Sequence, residues 1–285
     1  MNDAEIFIVG ANGQLGLALQ AQYPSAKKAD IAEMDITKRD TVLNHDWSNI
    51  KYILNAAAFT NVDGAETPEG REAAWKVNAT AVGYLAEVAA KHNITLLHIS
   101  TDYVFDGTKN PHTEDESFTP LSVYGASKAA GDAIVNTLPN HYILRTSWVI
   151  GDGNNFVRTM LGLGQKGISP TVVHDQIGRL TFTKQLVAAI DHLLVSKAPA
   201  GTYNISNDGD SISWADITRE IFTLAGFNDL TVTNTTTEEY FKDKEGIAPR
   251  PLQSTLDLAK ITASGLAPID WRKDLAEYVK KELAQ

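Results

Sequence analysis

The feature that most constrains the fold is a glycine-rich turn near the start of the sequence. Four apolar residues, Ile6–Val9, are followed by Gly10, Gly13 and Gly16 at a spacing of three, in the segment GANGQLG. Glycines at this spacing allow a tight turn, let the backbone approach a pyrophosphate, and let the following helix pack against the strand. The N-terminus of that helix then faces phosphate groups. The pattern predicts a strand, a dinucleotide-binding turn and a helix over about residues 14–22.

Segments typical of strands alternate with segments typical of helices over the first half of the chain. Apolar strands are indicated in KYILNAAAF, TLLHIS and HYILRTSWVI, and the intervening segments carry alanine and leucine at helical spacing. Strands that alternate with helices of this length predict a parallel sheet with right-handed crossovers. We therefore expect an α/β fold of the Rossmann type, with a doubly wound parallel sheet.

The pattern changes after Trp148, where shorter strands and amphipathic helices follow one another. Ser213 precedes Asp216 by three residues at the start of an apolar-faced helix, which is a capping-box arrangement. Because no low-complexity linker is present, we expect a smaller C-terminal α/β substrate lobe packed closely on the first domain. The dinucleotide-binding domain is predicted over 1–147 and about 172–195, and the lobe over about 148–171 and 196–285.

An acidic side chain about 20 residues after such a glycine turn commonly binds the ribose of the cofactor. Asp30 and Asp35 are the two candidates at this distance. Lys27 and Lys28 lie close by, so the sequence leaves the choice between NAD and NADP open.

A tyrosine and a lysine are separated by four positions in VYGASKAAGD, at Tyr124 and Lys128. Residues four apart share one face of a helix, so the phenol and the ammonium can point to one ligand. A free tyrosine titrates near pH 10, and a neighbouring positive charge lowers that pKa. We expect Lys128 to lower the pKa of Tyr124 and make it a proton donor. The alternative is that an isolated YxxxK arises by chance on a solvated helix face.

The segment ISTDYVFDG places hydroxyl groups and a carboxylate directly after an apolar strand. Thr101 and Asp102 occupy the strand end, 23 residues before Tyr124. Ligands of open α/β sheets bind at this end of the strands, so the Thr101 hydroxyl is predicted to join the phenol at a carbonyl oxygen. A polar strand exit without chemistry is the alternative. His98, inside the strand, is expected to be a core residue rather than a ligand.

Together, the glycine turn, the strand-end threonine and the YxxxK helix resemble the extended short-chain dehydrogenases/reductases. Within that group the chain is similar to the dTDP-4-dehydrorhamnose reductases over nearly its whole length. The blocks that carry this resemblance, in the family's order, are GANGQLG, MDIT, NAAAFTNVDGAE, ISTDYVFDGT, YGASKAAGD, RTSWVIGDGNNFVRTML, HDQIGR and APRPLQST.

The resemblance implies reduction of the C4 ketone of dTDP-4-dehydro-L-rhamnose by NADPH or NADH, giving dTDP-L-rhamnose for cell-surface polysaccharide. It implies three catalytic residues, Thr101, Tyr124 and Lys128, of which the last two also contact the cofactor. The other implied cofactor contacts are Gly10, Gly13, Gln14, Leu15 and Gly16 at the phosphates, Asp30, Asp35 and Ile36 at the adenosine, and Ala58, Phe59 and Thr60 along the far side. The implied contacts to the sugar nucleotide are Thr101, Asp102, Trp148, Asn155 and Arg250, the last two at its diphosphate.

Other activities of similar folds stay open as alternatives. Sugar-nucleotide dehydratases place Asp-Glu after the strand-end threonine, whereas this chain has Asp102 and Tyr103. A reductase or epimerase of another nucleotide sugar is one alternative, and a non-catalytic regulatory subunit of the same fold is another. The intact set of Thr101, Tyr124 and Lys128 favours an enzyme.

Composition excludes several classes of partner. The net charge of −10 argues against nucleic acid, and no apolar run approaches the roughly 18 residues of a membrane span. The chain has no cysteine, which fits a cytoplasmic protein, and we expect no signal peptide. Some members of the family dimerise through carboxylates around Mg²⁺. The sequence shows no spacing that places such ligands, so we assign no metal-ligating residue and leave a requirement for Mg²⁺ open, and we expect either a monomer or a homodimer.

Overall fold

The computed structural model describes residues 1–284, and its centre is a sheet of six parallel strands. The strand order is β10-β5-β4-β3-β1-β2. The strands are β1 (Ile6–Val9), β2 (Lys27–Ala29), β3 (Tyr52–Asn55), β4 (Thr95–Thr101), β5 (His141–Thr146) and β10 (Gly201–Asn204). Every pairing in this sheet is parallel. The chain runs outward from β1 to β2 and then returns to β3 on the other side of β1, so the predicted doubly wound Rossmann-type fold is confirmed.

Helices cover both faces of the sheet because successive side chains of β1 point to opposite faces. Ile6 and Ile8 pack in one core with helices α1 (Gln14–Gln22) and α7 (Thr183–Ser196). Phe7 and Val9 pack in a second core with α4 (Ala81–His92) and with the end of α5 (Val123–Val135). Shorter elements complete this half: α2 (Arg39–Leu43), α3 (Pro68–Trp75) and a π-helical turn (Lys76–Thr80) between α3 and α4.

The smaller lobe has a core of its own, built around three helices. These are α6 (Phe156–Gln165), α8 (Trp214–Ala225) and α11 (Trp271–Leu283), and their buried faces meet in one apolar cluster. The predicted cap of α8 is confirmed, since the Ser213 hydroxyl oxygen accepts a hydrogen bond from the Asp216 amide at 3.1 Å. The remaining elements are short: β6 (Val149–Ile150), β7 (Thr171–Val173), β8 (Ile177–Gly178), β9 (Thr181–Phe182), β11 (Ile212–Ser213), β12 (Thr233–Thr235), α9 (Thr237–Phe241) and α10 (Ala259–Ala263).

The predicted boundaries between the two parts are wrong in two places. Strand β10, assigned by sequence to the lobe, pairs with β5 in the large sheet. Strands β7 and β8, assigned to the dinucleotide-binding domain, pair with β12 and β11 of the lobe. The cause is that α7 is a crossover helix that packs beside α1 and brings the chain back to the sheet edge. The change of pattern after Trp148 therefore marks an excursion from the sheet, followed by a return.

The predicted strand HYILRTSWVI is also interrupted. Strand β5 ends at Thr146, and Trp148 adopts a positive φ of 48°. This conformation is uncommon for a bulky residue, and it turns the chain away from the sheet at the point where the lobe begins. Among residues 1–284, no helix is long and apolar enough to cross a membrane.

Candidate active site

Two adjoining cavities lie at the carboxyl ends of the central strands, where the strand order reverses. The first, of about 480 Å³, is lined by the ends of β1 and β3 and by the segment after β2; we call it the outer cavity. The second, of about 640 Å³, is lined by the ends of β4 and β5 and by α5; we call it the inner cavity. They share Asn12, Gly13, Ala56 and Ala58, so they form one continuous cleft. This is the position at which open α/β sheets bind ligands.

Most of the residues selected from the sequence line this cleft. Those in the outer cavity are Gly10, Gly13, Asp30, Asp35, Ile36, Ala58 and Phe59. Those in the inner cavity are Gly13, Gln14, Leu15, Ala58, Thr60, Thr101, Asp102, Tyr124, Lys128 and Trp148. Gly16, Asn155 and Arg250 line neither cavity.

The three glycines of the turn differ in what a side chain at each position would contact. Gly10 has φ of +76°, and a Cβ there would lie 2.7 Å from the Ala57 Cα atom, so only glycine fits. A Cβ on Gly16 would overlap the backbone of Gly10 and Ala11, so this glycine lets α1 pack against the turn. A Cβ on Gly13 would meet only the Gly10 carbonyl oxygen, at 3.5 Å, and would extend into the cleft.

The start of α1 is suited to hold phosphate groups. Gly13 occupies the N-cap position and provides no side-chain cap, and the first turn of α1 carries no acidic residue. The backbone N–H groups at this helix start therefore face the cleft, where an anion is favoured. Among the buried side-chain oxygens of residues that line the inner cavity, Gln14 Oε1, Thr146 Oγ1 and Ser147 Oγ have no hydrogen-bond partner within residues 1–284. Phosphate oxygens can accept hydrogen bonds from the N–H groups and from the two hydroxyl groups, and Gln14 Oε1 can accept one from a ligand hydroxyl group.

Helix α5 holds Tyr124 tightly against the strand end. Ser122 caps the helix by accepting a hydrogen bond from the Gly125 amide at 3.1 Å, and the Val123 amide donates to Glu66 Oε1 at 2.9 Å. A Cβ on Gly125 would overlap the carbonyl oxygen of Tyr103. The rings of Tyr103 and Tyr124 also meet edge to face, with centroids 5.5 Å apart. The glycine therefore lets the first turn of α5 approach the turn that follows Thr101.

Thr101 and Tyr124 come together as predicted. The Thr101 hydroxyl accepts a hydrogen bond from the Tyr103 amide at 3.2 Å and donates to Asp102 Oδ1 at 3.0 Å. Burial raises the pKa of Tyr124, and hydrogen bonding with Thr101 lowers it in part. The phenol is therefore protonated at neutral pH.

Lys128 does not act on Tyr124 as the sequence predicted. Its ammonium nitrogen donates to the Ile99 carbonyl oxygen at 2.6 Å and lies 3.3 Å from His98 Nε2. Burial lowers the pKa of Lys128 to about 8, although the nearby carboxylate of Asp132 raises it. The expected lowering of the Tyr124 pKa by Lys128 is wrong for this arrangement, because strand β4 holds the lysine nitrogen and burial dominates at the phenol.

His98 is a fully buried core residue, as expected, but it also contacts Lys128, which the sequence did not indicate. Asn55 Oδ1 accepts a hydrogen bond from the Ala57 amide at 3.2 Å, so its Nδ2 group is the donor to His98 Nδ1 at 3.0 Å. A neutral imidazole whose Nδ1 accepts must carry its proton on Nε2, which faces Lys128. Burial, followed by the charge of Lys128, lowers the pKa of His98 well below its usual range. The arrangement therefore disfavours the charged form of Lys128, in the same direction as its lowered pKa, although a pKa of about 8 leaves it mostly an ammonium group at pH 7.

Asp102 and Trp148 face the same space from two sides. Burial raises the pKa of Asp102 to about 6, while hydrogen bonds from Ser254 and Thr101 lower it. The Trp148 ring stacks on Trp214 with centroids 3.7 Å apart. A Cβ on Gly178 would lie 3.0 Å from the Trp148 ring, so the indole is held between the lobe and the cleft.

The structure does not bring Asn155 into the cleft. Its side-chain oxygen caps α6 by accepting from the Arg158 amide at 3.1 Å, and its Nδ2 group donates to Tyr278 Oη at 2.8 Å and to the Gly151 carbonyl. These contacts use its hydrogen-bonding groups within the lobe. The structure therefore gives no support to the diphosphate contact of Asn155, which stays a prediction.

Arg250 is likewise engaged outside the cleft. Its guanidinium forms a bidentate pair with the carboxylate of Asp63, donates to the Ala248 carbonyl, and lies 5.0 Å from the centre of the Phe241 ring. Asp63 follows β3 in sequence, so this pair ties the lobe to the large sheet. Because the guanidinium already has a carboxylate partner and lines neither cavity, the structure gives no support to the diphosphate contact of Arg250, which stays a prediction.

Several cleft residues were not selected from the sequence: Asn12, Ile31, Met34, Thr37, Ala56, Ala57, Val62, Val77, Ile99, Ser100, Tyr103, Thr146, Ser147, Val149, Asp152, Gly153 and Leu186. Thr146 and Ser147 could have been selected from the sequence as site residues, because they come at the end of an apolar strand, as Thr101 does. Most of the others are apolar and look like ordinary core positions in sequence. Within residues 1–284, no group of three or more histidine, aspartate or glutamate side chains is arranged to hold a metal ion.

Comparison with known proteins gives one consistent result. A family model described as the RmlD substrate binding domain matches residues 4–284. The chain is 39% identical to a dTDP-4-dehydrorhamnose reductase of Aggregatibacter actinomycetemcomitans, and the match covers 95% of this chain and 97% of that protein.

Solved structures agree. A dTDP-4-dehydrorhamnose reductase of Clostridium acetobutylicum matches with a TM-score of 0.90 and 37% identity, over 98% of this chain and 99% of that chain. A dTDP-4-dehydrorhamnose reductase of Bacillus anthracis, solved in complex with NADP, matches with a TM-score of 0.87 and 34% identity, over 97% of each chain.

Proposed function

The chain belongs to the RmlD substrate binding domain family, that of the dTDP-4-dehydrorhamnose reductases, and from this premise we propose the reaction that it catalyses. The proposed reaction is reduction of the C4 ketone of dTDP-4-dehydro-L-rhamnose to the alcohol of dTDP-L-rhamnose. The observation that carries the proposal is the convergence of Thr101, Tyr124 and Lys128 in one cleft with a glycine turn able to bind phosphates.

The residues that would hold a nicotinamide cofactor fit the cleft. The N-H groups at the start of α1 bind its phosphates, and the segment after β2 binds its adenosine in the outer cavity. Lys128 and Tyr124, one helical turn apart on α5, lie at the other end of the cleft. The bound cofactor supplies a hydride to C4 of the sugar.

Tyr124 gives the proton. Its pKa is raised by burial, so the phenol keeps its proton at neutral pH. Reduction turns the ketone oxygen into an alkoxide, which is a much stronger base than a phenolate and takes the proton from Tyr124. A positioned donor of this kind contributes about 10² to 10⁴ to the rate.

Thr101 assists at the ketone oxygen, and Lys128 assists by binding the cofactor. The Thr101 hydroxyl oxygen is held by the Tyr103 amide, and its one proton, which points to Asp102 Oδ1 in this structure, turns to the ketone oxygen of a bound substrate and orients that oxygen toward Tyr124. Negative charge grows on this oxygen in the transition state, so a fixed donor stabilises it. Lys128, an ammonium group below its pKa of about 8, would donate to the ribose hydroxyl groups of the cofactor at this end of the cleft.

Asp102 and Trp148 bind the sugar nucleotide. Asp102 is followed by Tyr103, so the cleft lacks the Asp-Glu pair with which a dehydratase removes water. Because the strand end lacks the glutamate of that pair, the site is suited to a net reduction. We propose that this reaction takes place in the cytoplasm, where nucleotide sugars are made, and that the protein acts as a monomer or a homodimer.

The experiment supplies dTDP-4-dehydro-L-rhamnose to the purified protein with NADH or NADPH and identifies the product by NMR. We expect cofactor oxidation to yield dTDP-L-rhamnose, and Tyr124→Phe to be about 10² to 10⁴ times slower with cofactor binding retained. The UDP-linked form of the same sugar, as a parallel substrate, tests the nucleobase. If neither cofactor is oxidised by folded protein, the proposal fails and a non-catalytic regulatory subunit is favoured instead.

A further inference from the structure

A histidine that the proposed reaction does not use lies fully buried outside the two cavities. His112 belongs to the loop 105–122, which joins the turn after Thr101 to helix α5. Its Nδ1 atom lies 2.9 Å from Glu116 Oε2, and its Nε2 atom lies 3.2 Å from the carbonyl oxygen of Gln253. The Glu116 side chain is itself only 4% exposed. The ring therefore lies between a buried carboxylate and a backbone carbonyl.

These two contacts identify His112 as an imidazolium cation. A carboxylate and a carbonyl oxygen only accept hydrogen bonds, so both ring nitrogens must carry hydrogen to bond them. The carboxylates of Asp102 and Asp106 are also close enough to interact with this charge. Lys109 approaches Glu116 from an exposed position, with its nitrogen 3.7 Å from Oε1. The buried side of the Glu116 carboxylate is thus left to the histidine.

The His112 ring also stacks on Phe105, with centroids 4.7 Å apart and planes 3° from parallel. The guanidinium of Arg145 lies 5.2 Å from the centre of the same Phe105 ring. It has a carboxylate partner of its own, because Arg145 Nε lies 3.1 Å from Asp132 Oδ2. The two cations near Phe105 therefore have separate partners, and Glu116 is the one that compensates His112.

The backbone of His112 is bonded to a segment that crosses over from the lobe, residues 252–257, which we call the crossing segment. The His112 amide donates to the Thr255 carbonyl at 2.8 Å. The same segment also pairs with β8 of the lobe, where the Ser254 amide donates to the Ile177 carbonyl at 2.8 Å. The crossing segment is therefore held between the loop of His112 and the lobe.

Ser254 connects the crossing segment to the inner cavity. It hydrogen bonds the carboxylate of Asp102, which lines that cavity. A Cβ on Gly178 would lie 3.1 Å from the Ser254 Cβ atom and 3.0 Å from the Trp148 ring, so Ser254 and Trp148 flank the same glycine. His112 and Ser254 line neither cavity. A displaced crossing segment would therefore disturb Asp102 and Trp148 without removing a contact to the ligand.

We propose that His112, as an imidazolium paired with Glu116, is a positioning residue for the sugar nucleotide. It holds the crossing segment through the Gln253 carbonyl, and Ser254 of that segment sets the Asp102 carboxylate in the inner cavity. A neutral ring has one N–H group, so either the carbonyl or the carboxylate would lose its partner. The inference rests on the proposed function, since it assumes that Asp102 contacts the sugar nucleotide.

Glu116→Gln and Ser254→Ala test the two ends of this series of contacts. The first removes the charge that keeps His112 protonated and preserves the shape of the side chain, and the second removes the hydroxyl that bonds Asp102. Each should raise the KM for the sugar nucleotide about tenfold, which corresponds to about 1.4 kcal/mol. We expect kcat to stay within about twofold, because the lost contact serves substrate and transition state equally. The dissociation constant of the reduced cofactor should not change, because the glycine turn is untouched.

The double variant shows whether His112 acts through Ser254. Independent effects multiply, so two separate tenfold losses would raise the KM about 100-fold. Effects that run through one segment do not multiply, and we expect the double variant to match the single variants at about tenfold. A folded Glu116→Gln protein with the parent KM, or a double variant in which the two losses multiply, overturns the inference.

Glu220→Gln is the matched control. Glu220, in α8, accepts a hydrogen bond from Arg272 Nε at 2.9 Å and lines neither cavity, so this variant should keep the parent KM. If Glu116→Gln does not fold, nitrogen NMR of the parent protein decides. Both ring nitrogens of His112 should carry hydrogen at neutral pH, and a neutral ring overturns the inference. A folded parent protein that oxidises neither NADH nor NADPH defeats the proposed function, which is a separate outcome.

Discussion

Gly125→Ala tests whether the close packing of α5 against the strand end is what positions the proton donor. A methyl group at this position would overlap the carbonyl oxygen of Tyr103 and would lie 3.1 Å from its carbonyl carbon. Both are backbone atoms, so neither can rotate away. Ordinary C···O contacts measure about 3.3–3.6 Å, so the first turn of α5 must retreat by roughly 1 Å.

This displacement moves Tyr124, the preceding residue, away from Thr101. A misplacement of about 1 Å can cost on the order of 10²-fold in rate. We therefore expect kcat with dTDP-4-dehydro-L-rhamnose to fall about 100-fold. The rate is measured from the loss of absorbance of the reduced cofactor. The dissociation constant of the cofactor should change far less, because the glycine turn before α1 is untouched.

Gly162→Ala is the matched control, since a Cβ at this position in α6 would meet no atom within 4 Å. Both substitutions replace a helical glycine by alanine and gain about 1 kcal/mol of helix propensity. A thermal unfolding scan of both variants shows whether the Gly125→Ala protein is folded. A folded Gly125→Ala enzyme with the parent kcat would refute the reasoning.

Three further outcomes are expected. Gly13→Val should weaken cofactor binding at least tenfold, about 1.4 kcal/mol, because its side chain extends into the phosphate position; unchanged affinity in a titration would contradict this. Arg250→Ala should lower the free energy of unfolding by about 1 kcal/mol and leave the KM for the sugar nucleotide unchanged, because its guanidinium pairs with Asp63 outside the cleft; a raised KM with parent stability would restore the diphosphate contact. Since the pKa of Lys128 is lowered to about 8 and the ammonium is the active form, kcat/KM should fall as the pH rises through about 8. His98→Gln, which offers the ammonium an amide oxygen, should move this decline to higher pH, and an unmoved profile would argue against the contact.

The features that could be predicted from sequence are those that depend on neighbours along the chain. The spacing of Gly10, Gly13 and Gly16 predicts a tight turn between a strand and a helix. The structure has the strand, the turn and the helix at these residues. The spacing of Tyr124 and Lys128 predicts that both side chains lie on the same face of one helix. Hydrophobic periodicity likewise predicted β1, β3, β4 and β5, whereas the edge strand β2, with the sequence KKA, gave no such pattern and was not predicted.

The features that sequence could not supply depend on residues far apart in the chain. The bond between Arg250 and Asp63 joins positions 187 residues apart, and an arginine between two prolines shows nothing of its partner. Asn55, His98 and Lys128 meet because β3, β4 and α5 are adjacent in space. Strand β10 was misplaced for the same reason, because its pairing with β5 follows from the crossover of α7 rather than from its own sequence.

The most direct test of the central claim follows a deuterium atom from the cofactor to the sugar. The enzyme is supplied with dTDP-4-dehydro-L-rhamnose and NADH that carries deuterium on the transferable C4 position of the nicotinamide, in ordinary water. Direct delivery to the ketone, with the proton on oxygen coming from Tyr124, predicts dTDP-L-rhamnose with one deuterium at C4 of the sugar. A product without deuterium at that carbon, or with deuterium at another carbon, would contradict the proposed reaction.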